Sequence, residues 1–194
     1  MVSPRDRMVA SAALLIRERG AHSTAISDVL EHSGAPRGSA YHYFPGGRTQ
    51  LLCEAVDFAS DYTAGRISSA ATGLDVLDVV VSGFRKQLTM TDYRAGCPVV
   101  AVAVEAGDPA KNDNAEVLER AGAAFTRWSD LIAQRLVNDG LEADRARELA
   151  MFMTSAIEGA LVMARATRAV EPLDATHRQL RTLLQAETAR GESK

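Results

Sequence analysis

An all-α fold is what the 194-residue sequence predicts, and three observations carry that expectation. Ala and Leu are abundant while aromatics make up 5% of the chain, a bias toward helix and away from sheet. Apolar residues recur three and four positions apart in one segment after another. The one run that reads as a strand, Cys97–Val104, finds no second strand pattern to pair with, which is one reason to read it as helix although propensity alone favours strand there. A chain of this length can hold a sizeable core, or a small head on a larger body.

Ser3-Pro4-Arg5-Asp6 opens the first helix: Ser3 can cap it, Pro4 gives up nothing at the first position, and Asp6 suits the positive end of the dipole. Met8, Ala12, Leu15 and Ile16 form its apolar stripe, and Gly20 ends it. Ala25–Phe44 then reads as two short helices joined by a tight turn. The first buries Ile26, Val29 and Leu30, and Gly34 turns the chain because a left-handed backbone costs it no Cβ clash. Pro36 sits at or near the first turn of the second helix. That helix carries Arg37, Gly38, Ser39, Tyr41, His42 and Tyr43, donors and flat rings suited to phosphates and base edges. The result is a three-helix head of helix-turn-helix type over residues 4–44.

Pro45-Gly46-Gly47 breaks the chain, and a fourth helix starts near Gly47 with Leu51, Ala55, Phe58 and Tyr62 on one stripe. Thr72-Gly73 marks the next break, before a helix lined by Val76, Val80, Phe84 and Leu88. Asp108-Pro109 is another cap-plus-proline start, ahead of the stripe Leu118, Ala121, Phe125, Trp128, Ile132 and Leu136, which Gly140 closes. From Ala143 to about Arg168 two faces are apolar: Leu149, Met153, Ile157 and Leu161 on one, Phe152, Ser155, Gly159 and Val162 on the other. Such a helix must be covered on both faces: one cover is its own core, and a symmetry mate could be the second. Small Ala156, Gly159 and Ala160 permit close approach, and Leu173, Leu180, Leu183 and Leu184 of the last helix could complete a four-helix dimer seam. The seam is therefore expected at Ser155, Gly159, Val162, Leu180 and Leu184, and the tail after Thr188 is expected to be disordered.

The formal net charge of −3 is unevenly spread. Residues 1–50 carry six Lys/Arg against four Asp/Glu, the direction expected if the head meets nucleic acid. Two cysteines suggest no disulfide framework, and neither a signal sequence nor an apolar run of membrane-spanning length is apparent, so a cytoplasmic location without a membrane partner is expected. His22, His32 and His42 lack the spacing of a zinc site, so no metal is expected, nor any cofactor. No nucleophile elbow, phosphate loop or paired-acid motif argues for an enzyme. Cys97, next to Pro98 at a helix start, reads as a small buried apolar residue or as a redox switch. Glu105 and Glu158 are the acids embedded in apolar runs, read as polar anchors for an effector or satisfied buried groups.

The string Gly34-Ala35-Pro36-Arg37-Gly38-Ser39-Ala40-Tyr41-His42-Tyr43-Phe44-Pro45, between an amphipathic helix and a long one, resembles the DNA-binding segment of TetR-family transcriptional regulators. Phe44-Pro45-Gly46-Gly47-Arg48 with Gln50-Leu51, and Gly96-Cys97-Pro98 before the run ending in Glu105, are similar to the LmrA/YxaF-like branch. The resemblance implies about nine helices: a DNA-binding head at 1–46 and a ligand-binding and dimerisation body at 47–194.

It also implies roles for single residues. Arg37 takes the basic position opening the recognition helix, Gly38 and Ser39 let the backbone approach DNA, Tyr41 and His42 meet phosphates, Ala40 and Tyr43 lie where bases or the fold are touched, and Phe44 is core. Gly47 stands where many members have a phosphate-binding lysine, for which Arg48 could substitute. Ala25 stands where a capping Ser or Thr is common, so Thr24 or Ser27 could supply a phosphate contact. Phe58, Tyr62, Phe84, Leu88, Cys97, Val104, Phe125, Trp128, Phe152, Met153 and Ile157 fall on helices that in such proteins surround a ligand cavity. The function so implied is a homodimeric repressor on double-stranded, partly palindromic operator DNA, released by a small apolar or aromatic effector. A helical DNA-binding or adaptor protein without an effector, or a small helical enzyme, stays as the alternative.

Overall fold

The computed structural model describes residues 2–105 and 115–191, and among these are nine helices and no strand. They are α1 Pro4–Arg19, α2 Ile26–Ser33, α3 Ser39–Tyr43, α4 Gly47–Ser69, α5 Gly73–Met90, α6 Pro98–Glu105, α7 Ala115–Asn138, α8 Ala143–Thr167 and α9 Glu171–Gly191. The Asp108-Pro109 start lies outside the described residues. Cys97–Val104 is helical despite its β-branched run, and α9 continues through Gly191 where the sequence suggested a disordered tail.

Two compact units form, each discontinuous in sequence. One comprises Met1–Asp61 with Cys97–Ala124, the other Tyr62–Gly96 with Phe125–Lys194. In the first, α1 packs against both α2 and α6, and Met8, Ile16, Val29, Phe44 and Leu51 are buried. Ser3 Oγ accepts from the Asp6 N–H at 3.1 Å, the cap the sequence called for. Arg5 of α1 pairs with Glu54 of α4 at 2.7 Å and lies over the Phe44 ring, tying the start of the chain to the far side of the helix-turn-helix.

In the second unit α5, α8 and α9 pack on one another. Thr72 and Asp75 cap α5 reciprocally, and the Gly73 N–H donates to Asp139 at 2.6 Å, fixing α5 against the end of α7. Asp78 of α5 accepts from Arg181 at 2.8 Å and pairs with His177 at 2.6 Å, both on α9.

Three expectations about faces need correction. Phe58 and Tyr62 do not share the buried stripe of Leu51 and Ala55: α4 buries Leu52, Val56, Ser60, Ala64 and Ile67, a row offset round the helix, and leaves Phe58 and Tyr62 exposed. Leu180 and Leu184 are 2% and 1% exposed, because α9 turns its leucines inward among α5 and α8. α8 is long and apolar enough to cross a membrane, contrary to the expectation that no segment is. Its composition follows from its two apolar faces, of which only the Leu149, Met153, Ile157 and Leu161 face is buried.

Candidate nucleic-acid interface

Short helices hold a surface only if their ends are tied down. Ala25 has no side chain to cap α2, but Asp28 reaches back to accept the Ala25 N–H at 3.1 Å, half of a capping box. At the other end Gly34 takes φ +65°, and the Ala35 N–H closes on the Leu30 carbonyl at 3.2 Å. Asp28 also pairs with Arg19 at 2.7 Å, linking α2 to the end of α1.

The second helix is shorter than the sequence suggested. Pro36, Arg37 and Gly38 form a turn in which the Pro36 carbonyl accepts from both the N–H and the hydroxyl of Ser39, and α3 begins only there. Arg37 thus precedes the recognition helix instead of opening it. Ala40 and Phe44 are each 1% exposed and anchor α3 in the head, while Tyr41 is 75% exposed and Arg37, Gly38 and His42 are exposed beside it. Tyr43 is half-buried and meets the His42 ring edge-on, with centroids 5.2 Å apart. Apolar side chains held inside therefore carry a guanidinium, a phenol and an imidazole outside, the donor set that phosphates require.

The remaining candidates divide by position. Ser27 is exposed on α2. Thr24 is buried, its hydroxyl donating to the Gly20 carbonyl at 2.7 Å. Arg48 is half-buried and donates to backbone carbonyls of the α1–α2 connection. Neither Thr24 nor Ala40 presents a side chain at the surface.

Residues 9–55 match the pattern of bacterial regulatory proteins of the tetR family, and residues 74–179 match the C-terminal domain of LmrA/YxaF-like transcriptional regulators, more than half of the chain. The chain belongs to the TetR family. This TetR-family regulator is 63% identical over 188 residues to the HTH-type transcriptional regulator Rv0196 of Mycobacterium tuberculosis, covering 96% of this chain and 97% of that one. It is 26% identical over 173 residues to the HTH-type regulator LmrA of Bacillus subtilis, covering 87% and 90%. A TetR regulator of Legionella pneumophila shares the fold at a TM-score of 0.79 and 17% identity, over 94% of this chain and 98% of that one. TetR-family membership makes the chain a DNA-binding transcriptional regulator and not an enzyme.

In the second unit an open groove of about 520 Å³ runs between α7 and α8, lined by Phe125, Ser129, Asp130, Met151, Thr154 and Glu158 among others. Of the eleven ligand candidates Phe125 alone lines it. Trp128 meets the Phe125 ring edge-on at 5.6 Å and is buried, as are Leu88, Cys97, Met153 and Ile157. Phe84 is half-buried, and Phe58, Tyr62, Val104 and Phe152 are exposed. Glu158, read as an embedded acid, and Ser155, expected at the dimer seam, also line the groove, and Phe125/Ser129 and Met151/Thr154/Glu158 follow helical spacing.

Proposed function

We propose that the chain acts as a homodimeric repressor whose two recognition segments enter successive major grooves of a partly palindromic operator, about 34 to 36 Å apart. The observation that carries this reading is the split within α3: Ala40 buried, Tyr41 and His42 outward, with exposed Arg37 just before them. Ser27, Arg37, Tyr41 and His42 contact phosphates, and Gly38, Ser39 and Tyr43 lie at the backbone approach and base edges.

Two copies pair through the outward face of α8. Met151, Phe152, Val162 and Met163 are each half exposed or more, on the same stripe as exposed Ser155 and Gly159. A side chain at Gly159 would meet nothing within 4 Å in the protomer, which leaves room for a partner helix to come close. A small apolar or aromatic effector, its polar atoms met by Ser129, Asp130 or Thr154, occupies the groove between α7 and α8 and prefers the conformation that does not fit DNA. A coupling of about 1 to 3 kcal/mol would weaken DNA binding roughly 5- to 150-fold.

The test is a mobility-shift assay with DNA flanking the chain's own gene, repeated with a panel of aromatic ligands. A shift at low salt that one ligand class reverses is the expected result. A shift that no ligand relieves refutes the effector, and no shift at all refutes the operator.

A further inference from the structure

The connection between α1 and α2 is held at both of its electrical poles by side chains from elsewhere in the chain. Glu105, the last residue of α6, accepts a hydrogen bond from the His22 N–H at 2.8 Å, across 83 positions. Its carboxylate rests on Gly20, where a Cβ would stand 2.7 Å from Cδ and closer still to Oε1. Gly20 also has φ +87°, so the backbone favours glycine, and a side chain there would have to push the carboxylate aside. From α4, Arg48 donates to the carbonyls of Thr24 at 2.9 Å, of Ala21, and of His22 at 3.4 Å. An anion therefore collects an N–H of the turn while a cation collects its C=O groups.

We infer that Glu105 and Arg48 are positioning residues for DNA binding: together they clamp the α1–α2 turn and so set the direction in which α2 and the recognition segment leave α1, without touching the duplex. α2 has eight residues and α3 five, too few to hold an orientation by helix stability alone. Charge-assisted hydrogen bonds are the stronger kind, and here both partners of the turn make them. With the clamp loosened, the head keeps its core of Met8, Ile16, Val29 and Phe44 but must be ordered anew each time it binds DNA. The inference rests on DNA binding by the head, which the family establishes.

The test uses the full chain and a labelled duplex from the region flanking its gene, at several salt concentrations, with Glu105→Ala, Glu105→Gln, Arg48→Lys, Arg48→Ala, Gly20→Ala and the Gly20→Ala/Glu105→Ala pair. Glu105→Ala weakens binding about tenfold with an unchanged salt slope, since no phosphate contact is lost, and the His22 amide exchanges faster. Glu105→Gln keeps an acceptor and recovers most of the affinity. Arg48→Lys keeps the charge but not the fork, and it also loses affinity at constant slope. Strain at Gly20 is common to both backgrounds, so the double variant isolates the carboxylate clash: Gly20→Ala does less harm once Glu105 is gone. Wild-type affinity in Glu105→Ala overturns the clamp, as does wild-type behaviour of Arg48→Lys combined with a reduced slope in Arg48→Ala, which makes Arg48 a phosphate contact. A wild-type chain that shifts no DNA overturns the operator reading and this inference together, whereas an unaltered Glu105→Ala overturns this one alone.

Discussion

Replacing Arg37 by Ala tests the DNA-facing surface with a number that follows from charge and symmetry. Arg37 is exposed and enters no ion pair among the described residues, so its positive charge is available to a phosphate. Each phosphate neutralised contributes about 0.9 to the slope of log affinity against log salt, and a dimer loses two such contacts, so the slope falls by about 1.8. Between 50 and 200 mM salt the wild-type advantage over the variant then shrinks roughly tenfold. Stability should change by less than about 0.5 kcal/mol, as for a surface side chain outside the packing. Fluorescence anisotropy with a labelled operator duplex at four or five salt concentrations, beside a urea melt, measures both. A slope lowered by only about 0.9 would mean one head engaged per complex. An unchanged slope would remove Arg37 from the phosphates and refute the orientation argued from Tyr41 and His42.

Other predictions follow the same logic. Gly159→Arg places a long cation in the middle of the exposed α8 stripe and should yield monomers by sedimentation together with loss of operator binding; an intact dimer moves the seam elsewhere. Burial works to raise the Asp78 carboxyl, but hydrogen bonds from His177 and Arg181 outweigh it and hold it below the ordinary value of 3.8. The stabilisation Asp78 brings is therefore complete above that ordinary value and fades as pH falls through the lower, folded one. With the side chain 44% exposed its size should stay below about 1 kcal/mol. Asp78→Asn should flatten urea melts compared between pH 5 and pH 3, and an identical acid loss in the variant would exclude the pair. Burial, aided by Glu116, pushes the Cys53 thiol up to about 11, so iodoacetamide at pH 7.5 should modify it far more slowly than a free thiol. Alkylation at the model-thiol rate would contradict that burial.

Legibility in the sequence tracked distance along the chain. Ser3, Gly34, Thr72 and Gly140 announce helix ends because caps act within one turn, and the two faces of α8 show because apolar spacing is itself local. The start of α3 was misplaced since Pro36 suits either the first turn of a helix or the turn before it. α4 carries apolar residues on more than one side, so spacing alone selected Phe58 and Tyr62 where the fold buries Leu52 and Val56. At the candidate interface Arg37, Tyr41 and His42 could be read from their types. That Thr24 turns inward and Arg48 serves backbone carbonyls could not, because those partners are supplied by tertiary packing. Glu105 stood out as an acid ending an apolar run, but nothing near it in sequence points to His22.

The first unit borrows α6 and the start of α7 from a stretch that begins some thirty-five positions after its own N-terminal segment ends. A chain emerging from the ribosome has all of α1, α2 and α3 available long before α6, yet α1 lacks one of its main packing neighbours until Cys97–Glu105 has been made. Closing that gap joins contacts distant in sequence, the slow kind of folding step. The nascent head therefore waits, incomplete, while α5 is synthesised. A head assembled in that order is complete only after the first residues of the second compact unit have been made.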